Sequence, residues 1–237
     1  LKSIILANVR TGSTFLTEAL DSHPDMHWRH GEPLPRKLKG DPECYDVLGA
    51  YYERHHDSVV GCKVTYYHLR ADWGLLEYLK SREVSAIHLV RGNPLRWILS
   101  VKISAKTKGR PGHTDKTLPI ARVKVNPQDM LNKARICIHI QNQARERLVR
   151  SGLRHIEMTY EEMTGGREAV AGPTKASTKC MCDFLGVPYH ELESSRRGVN
   201  RYPMSEIITN WNEVESVLLS SEFDYLVREE ESWKLST

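Results

Sequence analysis

"LANVRTGSTFL", residues 6–16, joins an apolar run to an amphipathic one through Arg10-Thr11-Gly12-Ser13-Thr14. Upstream, KSIILAN (residues 2–8) is short and apolar between polar flanks, as a buried strand is. Downstream, Phe15, Leu16, Ala19 and Leu20 recur at helical spacing, and His23-Pro24 stops the helix. The turn between them carries more donors than a turn requires. A loop that ends a strand and opens a helix gathers unpaired N–H groups at the positive end of the helix dipole, which favours an anion. Gly12 permits close backbone approach, Ser13 and Thr14 add hydroxyls that also suit N-caps, and Arg10 adds a permanent planar charge. The Walker pattern is absent, because neither its first Gly nor its Lys is present, and a nucleoside triphosphatase loses its main support.

Outward from this turn the same alternation recurs. SVVGCKV (58–64), VSAIHLV (84–90) and LRHIEMT (153–159) are short candidate strands. Between the first two, Trp73, Leu76, Tyr78 and Leu79 predict a helix. Asn93-Pro94 forms an N-cap and first-turn pair opening a helix through Leu95, Ile98, Leu99 and Val101. Asn126-Pro127 opens the longest helix, with Met130, Ala134, Cys137, Ala144 and Leu148 on its inner face and Gly152 at its end. Residues 106–118, KTKGRPGHTDKTL, read as a mobile basic loop. Short buried strands alternating with helices predict an α/β fold with a largely parallel sheet, taken as one domain over residues 1–237.

Composition bounds the partners. Lys+Arg at 34 against Asp+Glu at 30 gives a net charge of only +4, which suits an anionic ligand and is too small to imply nucleic acid. No apolar run approaches the roughly 18–20 residues of a membrane span, and the expected compartment is cytoplasmic. Leu1 directly precedes a strand, which points to a further N-terminal segment outside this sequence. Cys44, Cys62, Cys137, Cys180 and Cys182 form neither a disulfide framework nor zinc-pair spacing, so they are expected as mostly buried thiols, with no metal.

Arg10-Thr11-Gly12-Ser13-Thr14, running into a helix and "DSHP", resembles the 5′-phosphosulfate loop of sulfotransferases that use 3′-phosphoadenosine 5′-phosphosulfate. "IHLVRGNPLRWILSVKIS" puts Arg91 at a strand end and Ser100 in the next helix, similar to the family's 3′-phosphate motif. "HGEPL", residues 30–34, together with Arg in the loop, resembles the bacterial carbohydrate branch of trehalose and lipopolysaccharide type. "IEMTYEEM", "CDFLGVPY" and "SEIITNWNEV" are similar in order and character to the family's closing segments.

The resemblance implies a P-loop-like three-layer α/β sandwich and transfer of a sulfuryl group to a hydroxyl of a carbohydrate or other small molecule, leaving adenosine 3′,5′-bisphosphate. It implies that Arg10, Thr11, Gly12, Ser13, Thr14 and Phe15 hold the 5′ end of the donor, Arg10 also acting in catalysis, and that Arg91 and Ser100 hold the 3′-phosphate. It implies Glu32 as general base, with His68 after the strand-borne Lys63 as the rival, its spacing longer than in cytosolic members. Tyr160 resembles a position near the adenine, and Arg196, Arg197 and Gly198 a segment that covers the cofactor phosphate. Plainer readings stand beside these: Arg10 paired with a surface carboxylate, a strand-end salt bridge for Arg91, an ordinary helix serine for Ser100, a solvated Glu32, a core Tyr160, a solvated basic loop at 194–202 and a structural His68. Arg96 is a further candidate for the second cationic contact, expected rather on the helix exterior. A nucleoside or nucleotide kinase and a non-catalytic nucleotide-binding module are the alternatives. The acceptor and the oligomeric state are not written in the sequence; the acceptor pocket is expected from loops 34–57 and 106–126.

Overall fold

The computed structural model of the chain describes residues 1–34, 43–54, 58–71, 74–107, 121–166, 171–196 and 202–234. Five parallel strands, β1 (Lys2–Ala7), β2 (Met26–Trp28), β3 (Val59–Thr65), β4 (Ser85–Val90) and β5 (His155–Thr159), lie in the order β2-β3-β1-β4-β5. Ile4, Ile5, Leu6 and Ala7 are all fully buried, because helices cover both faces of the central strand. Ala7 pairs with Thr65 and Leu89, and Leu89 with Met158. The carboxyl ends of these strands therefore line up along one edge, where ligands of open parallel sheets bind.

On one face, α1 (Ser13–Asp21) and α8 (Lys175–Leu185) pack Leu16, Leu20, Met181 and Leu185 against Ile5, Ala7, Ile87 and Leu89. On the other, α2 (Glu43–Glu53), α3 (Tyr66–Ala71), α4 (Leu75–Ser81) and the later turns of α6 (Pro127–Ser151) pack against Ile4, Leu6, Cys62 and Val64. A third cluster joins α5 (Pro94–Lys106) and the first turns of α6 to α9 (Met204–Ile207), α10 (Trp211–Leu219) and α11 (Asp224–Lys234). A short helix, α7 (Tyr160–Thr164), follows β5 directly.

The caps predicted at the two Asn-Pro pairs and at Gly152 are present. The Asn93 side chain accepts the Arg96 N–H at 3.0 Å, Asn126 accepts the Asp129 N–H at 2.9 Å, and Gly152 closes α6 at φ 65°. The helix expected through Leu76, Tyr78 and Leu79 is α4, with Trp73 outside the described residues, and α3 is a further short helix ahead of it. Strand β2 is an addition, three residues long and pinned from outside itself. Asp21 at the end of α1 accepts the Trp28 N–H at 2.7 Å, and the Arg29 N–H donates to Gly61 at 2.9 Å. Cys62, Cys137 and Cys182 are buried free thiols and Cys180 is exposed. Among the described residues no helix is long and apolar enough to cross a membrane. The basic loop lies for the most part outside the described residues, α5 ending at Lys106.

Candidate functional site

The turn after β1 is closed by Thr11, fully buried, whose hydroxyl donates to the Asn8 carbonyl at 2.8 Å. Arg10 and Gly12 both adopt left-handed backbone, at φ 64° and 88°. Gly12 is the N-cap of α1 and no side chain caps the helix, so Ser13 and Thr14 are first-turn residues rather than caps. The first bond of the helix runs from the Leu16 N–H to the Gly12 carbonyl at 3.0 Å. The amides of Ser13, Thr14 and Phe15 therefore have no carbonyl one turn back to reach, and they open onto the strand edge. Gly12 has a second constraint: a Cβ there would lie 2.3 Å from Tyr160 Cδ2.

Three of the predicted anion ligands meet across this turn. The Arg10 Nε–H donates to the Ser100 hydroxyl at 3.3 Å, linking the loop to α5 over 90 residues of sequence. Burial, and then the nearby Arg91 charge, lower the Arg10 pKa from its ordinary value; a guanidinium starts so high that it stays charged. Arg91 is 4% exposed at the end of β4. Its guanidinium lies 4.1 Å from the centroid of the Tyr160 ring and its Nε 2.9 Å from Glu161 Oε1. Glu161 also accepts the N–H groups of Gly92 and Asn93, at 2.8 and 3.2 Å, ahead of α5. Ser100 is 5% exposed, one face of α5 turning it inward. The two guanidiniums repel each other; Glu161 offsets the charge of Arg91, and an anion bound near Arg10 would offset the rest.

Glu32 approaches from β2. Asp21 anchors that strand and also contacts His30 Nε2 at 2.9 Å, and Gly31 then turns the chain at φ 101°. The Glu32 carboxylate, about a quarter exposed, sits 3.6 Å from the Lys63 ammonium on β3. His68, buried at the start of α3, lies on the same side. Its Nδ1 accepts the Thr65 N–H at 3.1 Å, so the proton of the neutral ring is on Nε2. Burial is the largest influence and lowers the His68 pKa, while the Glu32 charge and the Leu34 carbonyl pull it up. A neutral ring in this tautomer donates from Nε2 and has no lone pair there to take a proton.

The remaining candidates are placed differently. Arg196 is 3.4 Å from Glu18 on α1, whose carboxylate also accepts the Ser194 and Ser195 hydroxyls at 2.7 and 2.8 Å. Arg197 and Gly198 lie outside the described residues. Arg96 is not on the helix exterior: it is 5% exposed and donates to the Tyr202 carbonyl at 2.7 Å, because α9 and the segment before it cover that side of α5. Tyr160, 5% exposed, is packed between Gly12, Phe15 and Arg91. Sequence reasoning passed over Glu161 and gave Lys63 no role of its own. One signal was available for Lys63, a lone cation in a strand otherwise buried.

No family model matches the chain, and no curated protein matches it. Among solved structures, a sulfotransferase from Alicyclobacillus acidocaldarius superposes with a TM-score of 0.54 at 16% identity, over 98% of this chain and 94% of that one. The sulfotransferase domain from the curacin biosynthetic pathway gives 0.48 at 15% identity, over 80% of this chain and 75% of that one. The first likeness establishes a shared fold, and the expected P-loop-like α/β sandwich around a parallel sheet is borne out.

Proposed function

We propose that the protein is a sulfotransferase that moves a sulfuryl group from 3′-phosphoadenosine 5′-phosphosulfate to a hydroxyl of a carbohydrate or similar small molecule. One observation carries this reading: Arg10 and Arg91, from separate strand ends, lie within Coulombic reach of each other, and Arg10 is bonded to Ser100 on α5. Two cations so placed suit a ligand with two phosphates on one nucleoside. The first-turn amides of α1, the hydroxyls of Ser13 and Thr14 and the Arg10 guanidinium would hold the 5′ end, and Arg91 and Ser100 the 3′-phosphate.

The donor, when bound, supplies an SO₃ group on a phosphate leaving group. Donors aimed at the oxygen that gains charge as the S–O bond breaks lower the barrier, and losing one such donor typically costs on the order of 10²–10³ in rate. Arg10 and the loop amides are so aimed in this reading. Glu32 is the base for the acceptor hydroxyl, supported by the His68 tautomer, which leaves that ring a donor. Lys63 pairs with that carboxylate at 3.6 Å and would hold it in place for the acceptor. Arg196 and, beyond the described residues, Arg197 and Gly198 complete the donor contacts by resemblance alone.

Calorimetric titration tests the reading. Adenosine 3′,5′-bisphosphate is expected to bind roughly 10- to 100-fold more tightly than adenosine 5′-monophosphate, the worth of one charge-assisted contact. Equal affinities would remove Arg91 and Ser100 from the site. Turnover with labelled donor then separates an enzyme from a nucleotide-binding module.

A further inference from the structure

Tyr160 touches both anion grips. Its Cδ2 and Cε2 atoms fill the space where a side chain on Gly12 would begin, at 2.3 and 2.5 Å from the Cβ position. Its ring carries the Arg91 guanidinium at 4.1 Å, a cation–π distance, and Phe15 meets it edge-on at 6.5 Å between centroids. The backbone behind the ring is fixed. Thr159 caps α7, its hydroxyl accepting the Glu162 N–H at 3.0 Å while the Glu162 carboxylate accepts the Thr159 N–H at 2.9 Å. The next residue, Glu161, holds the Nε edge of the same guanidinium at 2.9 Å and is itself fastened to the amides of Gly92 and Asn93. Two successive side chains of one short helix thus fix Arg91 on a face and on an edge, and the first of them is also the floor of the phosphate loop.

We propose that Tyr160 is a positioning residue that sets the separation of Arg91 from the phosphate loop, and thereby the preference for a ligand with two phosphates over a ligand with one. The inference rests on the two-phosphate reading above. It assigns the ring a different task from contact with a base: one face already carries Arg91, and only 5% of the residue reaches solvent. Removing the ring frees the guanidinium on that face, and an arginine that must find its geometry on binding loses part of its advantage to side-chain entropy.

Affinities of wild type, Tyr160→Phe, Tyr160→Leu and Tyr160→Met for adenosine 3′,5′-bisphosphate and adenosine 5′-monophosphate decide the matter. Tyr160→Phe keeps the ring and is expected to keep the wild-type ratio. Tyr160→Leu and Tyr160→Met fill similar space without a π face. In these the bisphosphate is expected to weaken roughly tenfold or more while the monophosphate changes less than about threefold, collapsing the ratio. Methionine serves where leucine does not fold, being flexible enough to fill the gap. Loss of both nucleotides in equal proportion would indicate a base contact or general damage and would overturn the proposal. A wild-type preference that survives in the leucine and methionine variants would overturn it too, leaving the two-phosphate reading intact. Equal affinities in the wild-type protein would instead remove that reading, and this inference with it.

Discussion

Glu32 and His68 are reached by different strands yet lie close enough for the Glu32 charge to act on the imidazole, and their partners separate their roles. The Nδ1 of His68 is committed to the Thr65 N–H, whereas Glu32, among the described residues, is held by an ion pair to Lys63 at 3.6 Å. Glu32→Gln is therefore expected to keep bisphosphate affinity and to lower turnover by roughly 10²–10⁴, the usual range for a lost general base. His68→Ala is expected to leave more activity but to lower thermal stability, since the Thr65 N–H loses a buried acceptor worth about 1–3 kcal/mol. A normal rate in Glu32→Gln with a dead His68→Ala would exchange the two roles. Protonation gives a second check. The native His68 pKa is lowered, so as pH falls through about 6.5 the unfolded chain takes up a proton that the native ring resists. Stability should fall with pH across that window, and His68→Ala should flatten the fall. At this scale the loop position marks Arg10 and Gly12, whereas Arg91 and Ser100 are singled out by resemblance to a family motif. Glu161 is marked by neither: one carboxylate after a tyrosine gives no hint that it will turn back to an arginine on another strand.

Elements were legible where they carry their own signals. Each Asn-Pro pair gives a cap and a fixed φ, and β1, β3 and β4 are runs of apolar or β-branched residues buried on both faces. Strand β2 lacks such a signal, since its three residues are held by Asp21 and Gly61 rather than by their own pattern. Strand β5 is tied to its neighbour by a polar chain that the apolar pattern also hides. Tyr66 OH lies 2.6 Å from His88 Nε2, His88 Nδ1 lies 2.9 Å from Glu157, and Arg145 on α6 grips both Glu157 oxygens. Burial works to raise the Glu157 pKa, but the hydrogen bonds from His88 and Arg145 outweigh it and hold it at about 2. A carboxylate depressed on folding stabilises the native state above its unfolded pKa of about 4.5 and loses that contribution as pH falls through about 2. Glu157→Gln should accordingly be less stable than wild type to urea at pH 7. The gap should narrow steadily between about pH 4.5 and pH 2. A gap that stays constant with pH would mean that the pair contributes through packing alone.

At the scale of the whole molecule, three apolar clusters form among the described residues, and the candidate site draws on elements of two of them. Tyr160 belongs to the cluster under α1, Arg91 follows β4, and Ser100 rides on α5, whose inner residues belong to the third cluster. A ligand seated there would hold the loop, β4 and α5 together, so binding should raise the stability of the chain as a unit. With bisphosphate at about 100 times its dissociation constant, mass action adds about 2.7 kcal/mol. For a chain of this size that corresponds to a rise in Tm on the order of 5–10 °C. Adenosine 5′-monophosphate at the same concentration should give a smaller rise, because it lacks the phosphate that Arg91 and Ser100 hold. Charge in this reading is met by guanidiniums and amides. The shift should therefore persist in excess chelator, and so should turnover with the sulfuryl donor. A shift that needs magnesium and is largest with ATP would move the protein to the kinase alternative, where phosphates are gripped through a metal ion. A shift indifferent to both the chelator and the second phosphate would leave the loop after β1 as the whole of the site, with Arg91 serving only to join β4 to α7.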